Sequence, residues 1–178
     1  MKKVIVGLSA ALLLSSTALV ASDDSKVYVV AKGLVTLGDS YDHDGHELTG
    51  GTGAGFGIDL GYKINHSFSA ELVTSYATNT VEDHLHVEAD GSYMTYGAAI
   101  AYVYHLSDKA GLLVKAGYEM EKEKISDFHV DATHGGFIYA VGAEYKIAPK
   151  YEALVEYEGS TIHGPKGAAV FAGVKYNF

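Results

Sequence analysis

The chain has 178 residues, 48% of them apolar, with no cysteine and a formal net charge of −9. That length fits one domain, and an acidic balance with no basic cluster excludes nucleic acid as a partner. Without cysteine there are no disulfides, thiol nucleophiles or thiolate metal sites.

Lys2 and Lys3 lead an apolar run from Val4 to Leu14, then small residues reach Ala21 and Ser22 before Asp23 and Asp24. This order predicts a secretory signal over residues 1–22, with cleavage after Ala21 or Ser22 and Ala18 as the alternative, and a mature domain over residues 23–178. No later run approaches the roughly 18 apolar residues of a membrane helix, so a closed barrel is the remaining way to span a bilayer.

From Val27 the pattern has period two, in eight segments. The first strand is predicted over residues 27–37, and a polar loop over 40–52 follows it. In the second, over 54–64, Phe56, Ile58, Leu60 and Tyr62 share one face, with Gly57, Asp59, Gly61 and Lys63 on the other. Asn65 and His66 turn the chain into the third, over 68–78, which sets Phe68, Leu72 and Tyr76 against Ser69, Glu71 and Ser75. A polar connection over 80–92 precedes the fourth strand, over 93–104. After the short turn from His105 to Lys109 comes the fifth, over 111–121, where Leu112, Val114 and Tyr118 oppose Lys115, Gly117 and Glu119. A third long loop spans 122–135, and the sixth and seventh strands, over 136–147 and 151–159, flank a tight turn at Pro149. A glycine-proline loop then leads to the last strand, over 168–178.

Short turns thus gather at one end and long loops at the other, as a tilted, membrane-crossing antiparallel barrel requires. Alternation alone leaves open which face points inward. A soluble lipocalin-like carrier would enclose the Leu, Val and Tyr face; a membrane barrel would expose it. Two features favour the membrane orientation. Gly57, Gly61, Gly97, Gly117, Gly142 and Gly173 crowd the polar face, as suits a narrow bore. Tyrosines collect at both ends of the apolar face: Tyr62, Tyr102, Tyr104, Tyr145, Tyr151 and Tyr176 near the tight turns, and Tyr76, Tyr96, Tyr118, Tyr139 and Tyr157 toward the loops. They form two girdles at which apolar rings keep their hydroxyls wet. The expected fold is all-β, an eight-stranded antiparallel up-and-down transmembrane barrel.

The final stretch, AAVFAGVKYNF, carries Gly173, Tyr176 and Phe178, which resemble the C-terminal assembly signal of bacterial outer-membrane barrels. The family's signal often has a polar residue where this chain has Phe171. With the eight-strand pattern, the chain resembles the small outer-membrane proteins of the OmpA transmembrane-domain and OmpX type. The resemblance implies a Gram-negative outer-membrane location, contact with outer-membrane lipids and lipopolysaccharide, and delivery by the barrel assembly machinery. No periplasmic domain is expected after Phe178.

The inward face is expected to hold a lumen charge network of Lys32, Asp59, Lys63, Glu71, Lys115, Glu119, Glu121, Glu144, Lys146, Glu156 and Lys175, with Glu152 and Glu158 beside them. Buried charge in a narrow bore must be paired, so a salt-bridge plug is the expectation and a small cation-preferring leak the alternative. Lys115, deep in its strand, is expected to pair with Glu71, Glu119 or Glu144. His43, His46, His84, His86, His129, His134 and His163 fall in the loops; imidazole beside carboxylate suits zinc, copper or nickel, but solvation is the expected state of mobile loops, and no cofactor is assigned. His105-Leu106-Ser107 looks like an element of outer-membrane lipid A deacylases, but it sits in a tight turn with no acid partner, so no enzyme is expected. The expected work is structural or a surface interaction, through the acidic, histidine-rich loops, with an extracellular partner. A narrow diffusion channel and a soluble periplasmic carrier are the alternatives.

Overall fold

The structure, a computed structural model, describes residues 26–43 and 46–178. The signal assigned to residues 1–22 lies outside the described residues. The described residues form β1 (Val27–Thr36), β2 (Ser40–His43), β3 (His46–Gly50), β4 (Gly53–Lys63), β5 (Phe68–Asp83), β6 (Glu88–His105), β7 (Ala110–Ile125), β8 (Val130–Ala148), β9 (Tyr151–Ser160) and β10 (Ala169–Asn177). β1 pairs with β4, and each later barrel strand pairs antiparallel with the next. β1 and β10 also pair, from Tyr28↔Asn177 to Thr36↔Ala169, closing eight strands into an up-and-down barrel. β2 and β3 form an extra hairpin on the rim, with β3 laid along the end of β5.

The period-two pattern becomes two walls. Leu60, Leu72, Leu112, Val114 and Tyr118 stand on the outside, Leu72 being 62% exposed, while Lys115 is 2% and Glu156 1% exposed inside. An unpaired N–H or C=O in hydrocarbon costs several kcal/mol, so a sheet with this outer wall has to close. The carrier alternative, which needed the reverse orientation, is thereby overturned. The girdle tyrosines, Tyr62, Tyr76, Tyr96, Tyr104, Tyr139 and Tyr157 among them, lie exposed on the outer wall. Close packing inside depends on missing side chains. At Gly61 a Cβ would run into the Tyr28 ring.

The short turns have local causes. Asn65 Oδ1 accepts the amides of Ser67 and Phe68, each at 2.9 Å, and Ser107 Oγ accepts those of Lys109 and Ala110 at 3.3 and 3.1 Å. At the opposite end the expectation of long loops needs correction. β5 and β6 run on to Asp83 and Glu88, and β7 and β8 to Ile125 and Val130, so the connections predicted over 80–92 and 122–135 are mainly strand. Most of their polar residues face water, Glu123 being buried on the inner side, while Val81, Ala89, Ile125, Val130 and Leu48 point inward as an apolar cap above the bore, with Phe128 and Ala132 packed against it. Asp83 Oδ1 ties off one tip, accepting the amides of Leu85 and Val87 at 2.8 and 2.9 Å. A single 3-10 turn, Ser126–Phe128, makes the other and ends at His129 with a left-handed φ of 56°.

The outer wall makes a direct prediction. Leu72→Arg places a cation in mid-bilayer and lowers the folding stability in lipid vesicles by about 2–4 kcal/mol. Urea titration of the vesicle-embedded barrel checks this, and a change within about 0.5 kcal/mol, the usual surface value, would mean that Leu72 meets water.

Candidate functional site

Lys115 projects from the middle of β7 into the bore. Its Nζ lies 2.7 Å from Glu71 on β5, 2.8 Å from Glu156 on β9 and 3.3 Å from Asp59 on β4. Lys32 of β1 reaches two of these carboxylates, 2.7 Å from Asp59 and 3.5 Å from Glu156, and its ammonium sits 4.3 Å from the centre of the Phe171 ring. Two ammonium groups therefore face three carboxylates. Tyr28 supplies a further donor, its hydroxyl binding Glu71 at 2.5 Å. Phe171, at the place where a polar residue was expected, packs inward with Leu34, Ala77 and Ala169.

Two further layers close the ends of this cluster. Toward the short turns Lys175 is held between Glu144 at 2.5 Å and Glu152 at 2.6 Å. Toward the hairpins the cation is Lys166, which comes from the connection between β9 and β10 and reaches Glu121 at 2.5 Å and Glu119 at 4.0 Å. That connection dips into the mouth. The Pro165 carbonyl accepts from Asn79 Nδ2 at 3.0 Å and from the Asp39 amide at 3.3 Å, and the Lys166 carbonyl accepts from the Gly38 amide at 3.1 Å. Gly38 and Gly167 are both at positive φ and closely packed: a Cβ on Gly167 would strike the Gly38 backbone, and one on Gly38 would strike the backbone of Gly50. Between the layers are two voids of about 10 Å³ each, space for no more than about one water apiece.

Of the expected network, Lys32, Asp59, Glu71, Lys115 and Glu156 come together. Glu119, Glu121, Glu144 and Lys175 form the flanking layers, so Glu119 and Glu144 serve Lys166 and Lys175 rather than Lys115. Lys63 and Lys146 face the short-turn rim, with no carboxylate within the 4.0 Å of an ion pair among the described residues; Glu152, the cross-strand partner of Lys146, is engaged by Lys175 instead. Two members were missed. Tyr28 shares parity with Lys32, a signal that was available, whereas Lys166 lies in a loop that no periodicity describes.

The histidines are dispersed. His43 and His46 are cross-strand partners in the β2–β3 hairpin, His86 and His129 occupy left-handed positions at two tips, and His163 is exposed in the last connection. His84 is exposed beside the first of those tips, and His134 leans inward, 3.9 Å from Glu123. Among the described residues no three His, Asp or Glu side chains are grouped to hold a metal. His105 and Ser107 do not form a catalytic pair: the His105 ring contacts the His66 carbonyl at 3.0 Å, and Ser107 serves its own turn.

A closed eight-stranded barrel with a lipid-facing wall and a charged interior is an integral outer-membrane β-barrel. The chain belongs to the family described as outer membrane protein beta-barrel domain, which it matches over residues 6–178. Similar solved structures are OprG of Pseudomonas aeruginosa (TM-score 0.66, 11% identity, 86% of this chain and 96% of that one) and Neisserial surface protein A (0.65, 18%, 86% and 98%). Ail, the attachment invasion locus protein of Yersinia pestis, is also similar (0.55, 19%, 86% and 99%). At such identities these likenesses carry the fold. No curated protein matches the sequence.

Removing one partner of a buried ion cluster strands the others. Lys115→Met is expected to lower stability by about 3–5 kcal/mol, and adding Glu156→Gln to recover part of that loss, both read from urea unfolding in vesicles. At the rim, Glu82 bonds the exposed His86 ring and holds its pKa above the ordinary imidazole value. The sign follows: the contact supports the tip fully below the unfolded-state pKa and is lost as pH rises through the folded one. NMR titration is expected to give a raised pKa for His86 that falls back in Glu82→Gln.

Proposed function

We propose that this protein is a non-conducting outer-membrane barrel that acts through its surface, exported by a leader cleaved near Ser22 and placed with its short turns in the periplasm. The observation that carries this reading is the clasp of Lys115 by Asp59, Glu71 and Glu156, with residual voids of about 10 Å³ above and below. Ions cannot pass side chains packed that tightly without breaking buried pairs.

What remains available for work is the opposite rim. Its hairpins bear Asp42, Glu47, Glu82, Glu88, Asp90, Asp127 and Asp131 against Lys122 and Lys124. Such a surface favours a cationic partner, and its sequence-distant strands are stiffened by the apolar cap beneath them. Gly173, Tyr176 and Phe178 are the residues we assign to recognition by the assembly machinery. Tyr151, Tyr176 and Phe178 cluster there, with successive ring centres 5.1 Å apart.

Planar-bilayer recording tests the closed bore. The wild type is expected to give no steady conductance, and Lys115→Ala combined with Lys166→Ala to give measurable current. Steady ohmic channels in the wild type would instead assign the narrow diffusion channel.

A further inference from the structure

At the short-turn end the bore widens into a funnel of about 540 Å³. Its floor is made by Tyr28 and by Lys175 between Glu144 and Glu152. Around its wall stand Lys63 from the end of β4, Lys109 from the turn before β7, and Lys146 from β8. The lysines deeper in the barrel, Lys32, Lys115, Lys166 and Lys175, each lie within ion-pair distance of a carboxylate; these three do not, among the described residues. Lys63 and Lys146 lie on the inward parity of Asp59 and Glu144, so both are aimed over the mouth rather than away from it.

His66 and His105 join them. Their rings stack with centres 4.2 Å apart and planes 25° from parallel, and His105 Nε2 donates to the His66 carbonyl at 3.0 Å. The acids facing the funnel are Glu144 and Glu152, both engaged by Lys175, and Asp108 in the turn. Three lysines lining this funnel thus have no carboxylate within ion-pair distance among the described residues, and like charges gathered around one concavity call for an anion.

We propose that this funnel binds a phosphate-class oxyanion. Ammonium groups act as compact point charges approaching from several directions, which suits a small dianion with several acceptor oxygens. The volume admits a phosphate with its hydration or with a short organic ester. The anion comes either from solution or from the headgroup of an acidic phospholipid whose chains lie on the adjoining outer wall.

The test uses the mature protein refolded in octyl glucoside, a detergent without phosphate, titrated with inorganic phosphate against chloride at matched ionic strength. The imidazole NMR signals of His66 and His105, which line the funnel, are expected to shift saturably. Lys63→Gln, Lys109→Gln and Lys146→Gln together are expected to weaken binding about tenfold or more, because each removes a charge facing the anion. Lys146→Gln alone, at an exposed rim position, gives a smaller loss in the same direction, and Lys122→Gln with Lys124→Gln at the far end gives none; heat-modifiable gel migration verifies folding of each variant. A shift that never saturates, or one weakened equally by the far-end pair, overturns the site. In a second arm, nanodiscs of phosphatidylcholine with and without phosphatidylglycerol replace the detergent. Loss of phosphate binding when phosphatidylglycerol is present assigns the headgroup; unchanged binding assigns the free anion. Binding is measured on the isolated barrel, so its outcome is independent of which compartment the funnel faces and of whether the bore conducts.

Discussion

Hydrocarbon offers no partner for a peptide N–H or C=O, and this one absence shapes the molecule from its backbone to its charges. Each barrel strand is bonded on both edges, and the outer side chains are apolar because nothing else is tolerated there. Eight strands enclose little space, so whatever polar side chains the alternation sends inward must satisfy one another at short range. Lys115 answers that demand with three carboxylates, from β4, β5 and β9. The pairing follows from parity: once the outward residues are fixed, every second residue is committed to the interior, and there each enclosed lysine is met by carboxylates from across the bore.

Much of this was legible in the amino-acid order. The faces of β4, β5 and β7 follow from Leu60, Leu72 and Val114 alternating with Asp59, Glu71 and Lys115, because period two is a property of the strand itself. The hairpin ends were not legible to the same degree. Residues 80–92 and 122–135 look like loops because their outer face meets water and turns polar, while Val81, Ile125 and Val130 keep the inner alternation at wider visual spacing. The partners of Lys115 were only partly readable. Parity says which residues face inward, but depth around a tilted, closed sheet decides which of them meet, and that is set by register between strands distant in the chain. Lys166 escapes both rules. It is delivered by a loop that bends into the mouth, held there by bonds from Asn79, Asp39 and Gly38 that no local pattern encodes.

Charge is sorted along the barrel axis as well as across the wall. Acids dominate the hairpins, ion-paired groups with carboxylates in excess fill the middle, and lysines outside any ion pair ring the short turns. The two ends therefore present opposite potentials to whatever approaches them, with the ion-paired column between. The stiffness of the acidic end comes from beneath, from Leu48, Val81 and Ile125, so its charged side chains are displayed on a scaffold that is packed like a small globular core.

The seam between β1 and β10 imposes a timetable. Val29 finds Tyr176 and Lys32 finds Gly173 across nearly the whole length of the sequence, so the first strand to emerge waits for the last. Until then the growing sheet has two open edges, each able to bond to any extended chain nearby. Everything between them can zip by neighbouring hairpins at low entropic cost, yet the circle stays broken. A chain built this way has to be kept apart from its siblings while it travels, and its insertion is complete only when its two extremities meet.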